Sequence, residues 1–418
     1  MMETRRNVQT CLGMLASLLC LPVSAQVNIS GRIMWVDRRG PADAGSAHPA
    51  RSVLVEICDN RVPLANQVVS TTQTDEGGNY AVTVPTANGT QRDILVRARS
   101  QSPAATVEAI GTTLAYILPS AVFPAQPWNA TLTVNIVGDF TKTNNAAFSV
   151  LDAVLGARQY VSKLSNIDLP AIPIEFPTSG SVSYFQNNQL HILLGDRWDW
   201  DVVMHEYGHY VSKSFVFDDS PGGVHYLDEN ISDRLPKDSA VRLAWGEGWP
   251  TFFAIMAQRE MNMAAFGIPY VGDATYSDTE DASIDIDLSS NGDGSLGEDN
   301  EVSIMRLLYQ SVTDAADTRV SPVDLWQEMV TSRPRYLSAT YTAMTSKLAT
   351  GGVLAIGSLA TKHRIAPGPE LPGISSALAD SPPQFSWAAN GGGQLHHNNQ
   401  FTIRFLTRDP NPQRQRSE

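Results

Sequence analysis

From Val27 to about Val137, apolar and polar residues alternate in short runs. VNISGRIMWV, SVLVEIC, NQVVSTTQT, YAVTVP and DILVRARS are rich in β-branched residues, and RRGPADAG, DEGGN and TANGT supply turn chemistry between them. No helical period interrupts this texture, so the stretch predicts an all-β sandwich. The pattern changes near Asn144. In NAAFSVLDAVLGARQYVSKL, Phe148, Leu151, Val154, Leu155 and Val161 recur close to helical period. IPIEF, VSYF and QLHILL predict short strands, the last an edge strand, and GDRWDW leads into a helix over DVVMHEYGHYV. Further helices fit AVRLAWGEGWPTFFAIMAQREM, EVSIMRLLYQSVTDAA, VDLWQEMV and YTAMTSKLA. This mixture predicts an α+β unit with one helix packed under a sheet. Beyond Ile365, APGPELPG reads as a linker, PPQFSWAANGGGQLHHNNQFTIRFLT as two strands about a Gly/Asn turn, and DPNPQRQRSE as a disordered tail.

The first 25 residues break this picture. Arg5 and Arg6 precede the apolar run CLGMLASLLCLPV, and Val23-Ser24-Ala25 is a small-residue cleavage pattern. That order predicts a secretory signal peptide, too short for a membrane span. Cys20 follows Leu19 rather than the small residue expected before a lipidated cysteine. The expected organisation is a signal peptide over 1–25, a β-sandwich accessory domain over 26–140, an α+β domain over 141–365, and a partial β segment with a tail over 366–418. Cleavage after Ala25 leaves Cys58 as the one cysteine, which excludes an internal disulfide and predicts a buried structural thiol. The net charge of −13 argues against nucleic acid as a partner. No later run is long and apolar enough to span a membrane.

The chemistry centres on Asp201–Tyr210, DVVMHEYGHY. His205 and His209, four apart on a helix, share one face and can aim ring nitrogens at one zinc ion. Glu206 stands about 100° round the helix from His205, beside the metal but not on it, where a carboxylate can act as general base toward water activated by zinc. A catalytic zinc takes three protein ligands and keeps a fourth position open. Position 215 is Phe215, which excludes a third histidine six residues on. Glu247, in LAWGEGWPTFFA, is an isolated carboxylate in an apolar helix and is the expected third ligand.

HEYGH followed by a separate GEGWPTFFA resembles the gluzincin metalloproteases, the thermolysin-like class, most closely fungalysin-like secreted enzymes whose second motif resembles EGW-x-DFFA. The resemblance covers about 199–309. It implies a zincin-type metallopeptidase domain that hydrolyses peptide bonds in a protein or peptide substrate, with zinc on His205, His209 and Glu247 and Glu206 as base. Three departures stand out. Thr251 occupies the place of an aspartate that in that family orients a zinc histidine. The segment between His209 and Glu247 is longer than in the thermolysin type. No residue plainly matches the family's histidine or tyrosine that stabilises the transition state. His225, in GGVHY, is the candidate oxyanion partner, with Tyr226 and Tyr309 as rivals and a solvated loop histidine as the competing reading. TDEGGNYAVTVP, at 74–85, resembles the hairpin of carboxypeptidase-regulatory-like domains and implies an accessory module.

Other features are weighed against plainer roles. Ser277–Glu301 holds nine acids and no Lys or Arg. Asp285, Asp287, Asn291, Asp293 and Glu298 are candidate calcium donors, against a solvated acidic loop. Trp198 and Trp200 read as packing anchors, His191 as the polar side of an edge strand, and His396 with His397 as a surface pair. Asn28, Asn88, Asn129 and Asn230 carry N-x-S/T sequons. The expected function is that of a secreted zinc metalloendopeptidase. The rivals are a non-catalytic extracellular binding or adhesion protein with a structural or degenerate zinc site, and a zinc hydrolase acting on substrates other than peptides.

Overall fold

Strand Gln26–Asp37 organises the N-terminal part of the computed structural model, which describes residues 26–365 apart from 38–44, 62–66, 88, 228, 279–283, 292–294, 314–319, 347 and 349. Its side chains obey the two-residue period of a strand: Val27, Ile29, Ile33 and Trp35 are all buried, and Gly31 holds the position between. A Cβ on Gly31 would stand 1.8 Å from the Val134 carbonyl oxygen, so only glycine lets that chain cross. The strand pairs antiparallel with Asn79–Pro85 and Ser46–Pro49, and parallel with Thr131–Thr133 and Ile136–Val137. A second five-stranded sheet runs in the order Gln67–Gln73, Leu54–Asp59, Gln91–Arg99, Ile117–Pro119, with Phe123–Pro127 also on Gln91–Arg99. The expected β-rich N-terminal unit is present. Cys58 lies buried within it, and burial raises its thiol pKa.

The turn through DEGGN differs from the expected hairpin. Gly77 and Asn79 N–H groups donate to Asp75 Oδ1, both at 2.8 Å, and Gly78 adopts φ +76. Strand Gln67–Gln73 before this turn belongs to the second sheet, whereas Asn79–Pro85 after it belongs to the first. The turn therefore carries the chain between sheets.

Among the described residues there are seven α-helices: α1 (Thr143–Ser165), α2 (Trp200–Ser214), α3 (Lys237–Glu260), α4 (Glu301–Thr313), α5 (Pro322–Ser332), α6 (Leu337–Ser346) and α7 (Thr350–Lys362). With a third sheet they make the chain a multidomain α+β protein. That sheet runs Tyr184–Gln186, Gln189–His191, Ile172–Glu175, Ala105–Glu108. Two details depart from expectation. Ala105–Glu108 comes from the N-terminal side of the expected boundary near 140, yet pairs parallel with Ile172–Glu175. His191 is not on the edge, because Tyr184–Gln186 pairs antiparallel outside its strand. Its ring stacks on Tyr184 with centroids 4.3 Å apart, and its Nδ1 lies 3.2 Å from Glu175 Oε1.

A polar seam joins α1 to the first sheet. Asn145 closes on the backbone of Val36 from both sides, accepting its N–H and donating to its carbonyl. Trp35 Nε1 donates to Asp152 Oδ2 at 3.3 Å, and Arg51 Nε donates to Asp152 Oδ1 at 2.6 Å. Burial pushes the Asp152 carboxyl up to about 6 against the opposing pull of Arg51. Trp198 stacks on Trp35 and Trp200 Nε1 donates to Ser149 Oγ, so both tryptophans are the packing anchors expected of them.

The tail over 366–418 with His396 and His397, the segment over 1–25, and Asn88 lie outside the described residues. No described helix is long and apolar enough to cross a membrane. Asp152→Ala leaves the buried Arg51 guanidinium with the exposed Glu76 as its remaining carboxylate and the residue 152 carbonyl as an acceptor. The expected loss is about 3 kcal/mol in urea unfolding; a loss below about 0.5 kcal/mol would mean the seam carries no weight.

Candidate metal centre

Asp199 caps α2 by accepting the Val202 N–H, which starts the helix one turn before His205. The histidines project toward α3, and α3 comes close because Gly208 has no side chain. A Cβ there would stand 2.9 Å from Pro250 Cα. Gly248 does the same on the far side of α3, where a Cβ would stand 2.8 Å from the Glu301 carbonyl oxygen at the start of α4. Two glycines thus bring α2, α3 and α4 together around Glu247.

His205, His209 and Glu247 are each at most 2% exposed. Their donor atoms form a small triangle: Nε2 to Nε2 is 3.1 Å, and Glu247 Oε2 lies 3.5 Å from His205 Nε2 and 3.3 Å from His209 Nε2. Two ligands of a tetrahedral ion at 2.0–2.1 Å stand about 3.3 Å apart. The three edges bracket that figure, so the set fits a single divalent ion with one direction left open. The structure brings together the three residues expected as ligands, as a group that could hold a metal ion.

Neighbouring groups hold the donors in place. His205 Nδ1 donates to Thr251 Oγ at 2.8 Å, and Thr251 donates to the Glu247 carbonyl at 3.3 Å. This fixes the tautomer that turns the His205 Nε2 lone pair toward the site. Thr251 therefore takes the orienting role for which the sequence showed no acid. Near His209 lies Asp218, whose carboxyl burial pushes up to about 6 against the pull of that imidazole. Burial lowers His205 to about 4, whereas for His209 the nearby Glu247 outweighs burial and lifts it to about 9. In the metal-free protein the shared proton thus sits on His209.

Glu206 is 1% exposed, and no side chain among the described residues donates to its carboxylate. Burial pushes it up to about 7, opposed by His209 and by the Phe185 N–H on the edge strand Tyr184–Gln186. Such a group takes and returns a proton near neutrality. Tyr276 lies on the other side, its ring 6.1 Å from that of His205, on a strand tied to α2 where Ser277 N–H donates to Asp201 Oδ2.

His225 is 2% exposed, which overturns the solvated-loop reading. Its Nδ1 donates to the Gly223 carbonyl, and its Nε2 lies 3.7 Å from Glu301 Oε2. Burial works against a charged ring, but Glu301 and Glu247 outweigh it and raise the His225 pKa. The rivals are engaged elsewhere: Tyr309 OH accepts from Arg259 Nη1, and the Tyr226 ring lies under the Arg234 guanidinium. Of the candidate calcium donors, Asp287 Oδ1 accepts from Ser289 and Glu298 Oε1 from the Ser338 N–H. Asp285 lies exposed on Asp285–Asp287, Asn291 is exposed, and Asp293 is outside the described residues. Among the described residues, no group placed to hold a metal ion includes them.

Three neighbours of the centre, Glu301, Asp218 and Tyr276, escaped the sequence reading, which marked Thr251 only as a missing acid. Thr251 follows Glu247 by four, a same-face helical spacing that was available as a signal. Glu301 was submerged in the acidic run, and Asp218 and Tyr276 stand in segments with no pattern that marks them.

The chain matches no family model and no curated protein. Among solved structures it is similar to a 9R-lipoxygenase from Cyanothece PCC8801 (8% identity, 38% of this chain and 27% of that one, TM-score 0.18). It is also similar to the major plantain pollen allergen Pla l 1 (11% identity, 28% and 95%, TM-score 0.17). A third is the shaft pilin SpaA from Lactobacillus rhamnosus GG (16% identity, 28% and 50%, TM-score 0.15). The chain spans about a quarter of the lipoxygenase and half of the pilin. Likenesses at these scores carry no argument about its activity.

Thr251→Ala removes the acceptor of His205 Nδ1–H and should weaken divalent-metal affinity about tenfold or more, read by competition with a chromophoric chelator; unchanged affinity would show that Thr251 orients nothing. Metal binding must also displace the His209 proton. Below pH 9 uptake should therefore release about one proton, with apparent affinity rising about tenfold per pH unit from 7 toward 9. A calorimetric titration in buffers of different ionisation enthalpy measures that proton.

Proposed function

We propose that the chain is a secreted zinc metallopeptidase of the gluzincin type, with zinc on His205, His209 and Glu247. One observation carries the reading: a donor triangle of tetrahedral size lies beside a buried carboxylate, Glu206, whose pKa burial lifts to about 7. Zinc on such a set supplies a water of lowered pKa and a positive charge for the substrate carbonyl oxygen. Glu206 takes the proton of the attacking water and returns it to the leaving amine. The outer edge of Tyr184–Gln186, next to Glu206, offers unpaired backbone groups to an extended peptide, which adds as a strand. His225, grouped with Glu247, and Tyr276, whose ring lies 6.1 Å from that of His205, are the candidates to meet the developing oxyanion. The N-terminal β unit is read as an accessory module, and the arginine-led apolar segment before Val27 as the export signal.

The test uses the full chain. Glu206→Gln should keep its zinc and lose about 10²–10⁴-fold in hydrolysis of casein and peptide libraries. His209→Ala and Glu247→Ala should lose both metal and activity. An active Glu206→Gln protein with full zinc content would exclude this mechanism. Turnover confined to small esters or amides would exclude peptides as the substrate.

A further inference from the structure

The buried cluster does not end at the three donors of the first site. His225, Glu247 and Glu301 form a second group whose donor atoms all lie within 4.8 Å of one another, and Glu247 belongs to both. We propose that this group holds a second divalent cation, with Glu247 as the bridging carboxylate between two ions.

The orientation of His225 is the independent observation. A carbonyl oxygen only accepts, so the Nδ1 contact with Gly223 fixes the proton on Nδ1. Nε2 then faces Glu301 Oε2, 3.7 Å away and too far for a hydrogen bond, where it can carry a second proton or ligate a cation. Two buried carboxylates gathered on one imidazole call for positive charge among them, either a proton on Nε2 or a cation. Glu301, at the first position of α4, is 3% exposed, and Glu247 is 1% exposed. Gly248 permits α4 to sit close enough to α3 for the two carboxylates to share the pocket. Glu247 Oε2 already faces His205 and His209. A carboxylate using one oxygen for each ion holds them about 3.5–4 Å apart, the spacing of two-metal hydrolytic centres. The His225–Glu301 edge, at 3.7 Å, is longer than any edge of the first group. The nitrogen and carboxylate donors suit Zn²⁺, Co²⁺ or Mn²⁺ rather than Ca²⁺. A cation there supplies, in place of an imidazolium, the positive charge that His225 brings to the site.

This inference rests on the metal reading of the first site, and metal stoichiometry separates the two. Metal-free full-length protein is loaded with excess Zn²⁺ or Co²⁺, freed of unbound ion, and its metal counted by elemental mass spectrometry. The wild type should hold two equivalents, and Glu301→Gln and His225→Ala one each, with circular dichroism confirming their folds. In the cobalt protein a shared carboxylate couples the two spins, so the paramagnetic resonance signal per cobalt is attenuated in wild type and recovers in Glu301→Gln. The wild-type stoichiometry and spectrum stand alone if a variant fails to fold. One equivalent in wild type, unchanged in Glu301→Gln, overturns the second site and leaves the first. No bound metal in wild type overturns the reading of the first site as well.

Discussion

The contact of Gly208 with Pro250 sets the geometry of the whole centre, because it fixes how near α2 can lie to α3. Two imidazoles one turn apart on α2 can share an ion only if a third donor reaches them from outside that helix. Glu247 does so from less than one turn before Pro250. Any side chain at position 208 would force the two backbones apart and open a triangle whose edges now run from 3.1 to 3.5 Å. Pro250 adds a local consequence. It has no N–H for the Gly246 carbonyl, so α3 lacks one of its own hydrogen bonds beside the ligand it presents.

Around that crossing the protein buries Glu206, Glu247 and Glu301 with three histidines. Removing so many ionisable groups from water costs more than their mutual contacts return unless each finds an opposite charge. Protons on His209 and His225 meet part of that need, and a bound cation would meet more of it. The stability of this region and its chemistry therefore draw on the same charges. The polar seam of Asp152, Arg51 and Trp35 lies outside the pocket and joins α1, against which Trp200 is anchored, to the first sheet.

Much of this was legible from local pattern. The period-two runs before residue 137 became strands, and the apolar period from Phe148 onward became α1. HEYGH pointed to His205 and His209 by helical spacing and GEGWP to Glu247 as a lone carboxylate in an apolar helix, and the fold brings the three together. Long-range pairing was not legible. Ala105–Glu108 is too short to announce that it completes a distant sheet, and the strand of His191 lost its edge position to Tyr184–Gln186. α7 went unread because Gly351, Gly352 and Gly357 disguise its helical period. The burial of His225 and Glu301 depends on how a loop and a helix start fold over Glu247, which spacing along the chain does not encode.

The most direct test of the central claim is anomalous diffraction at the zinc absorption edge from crystals of the zinc-loaded protein. The account predicts a peak about 2.0–2.2 Å from His205 Nε2, His209 Nε2 and Glu247 Oε2 together. A peak bound elsewhere, or a Glu247 side chain turned away from an ion held by the two histidines, would contradict it.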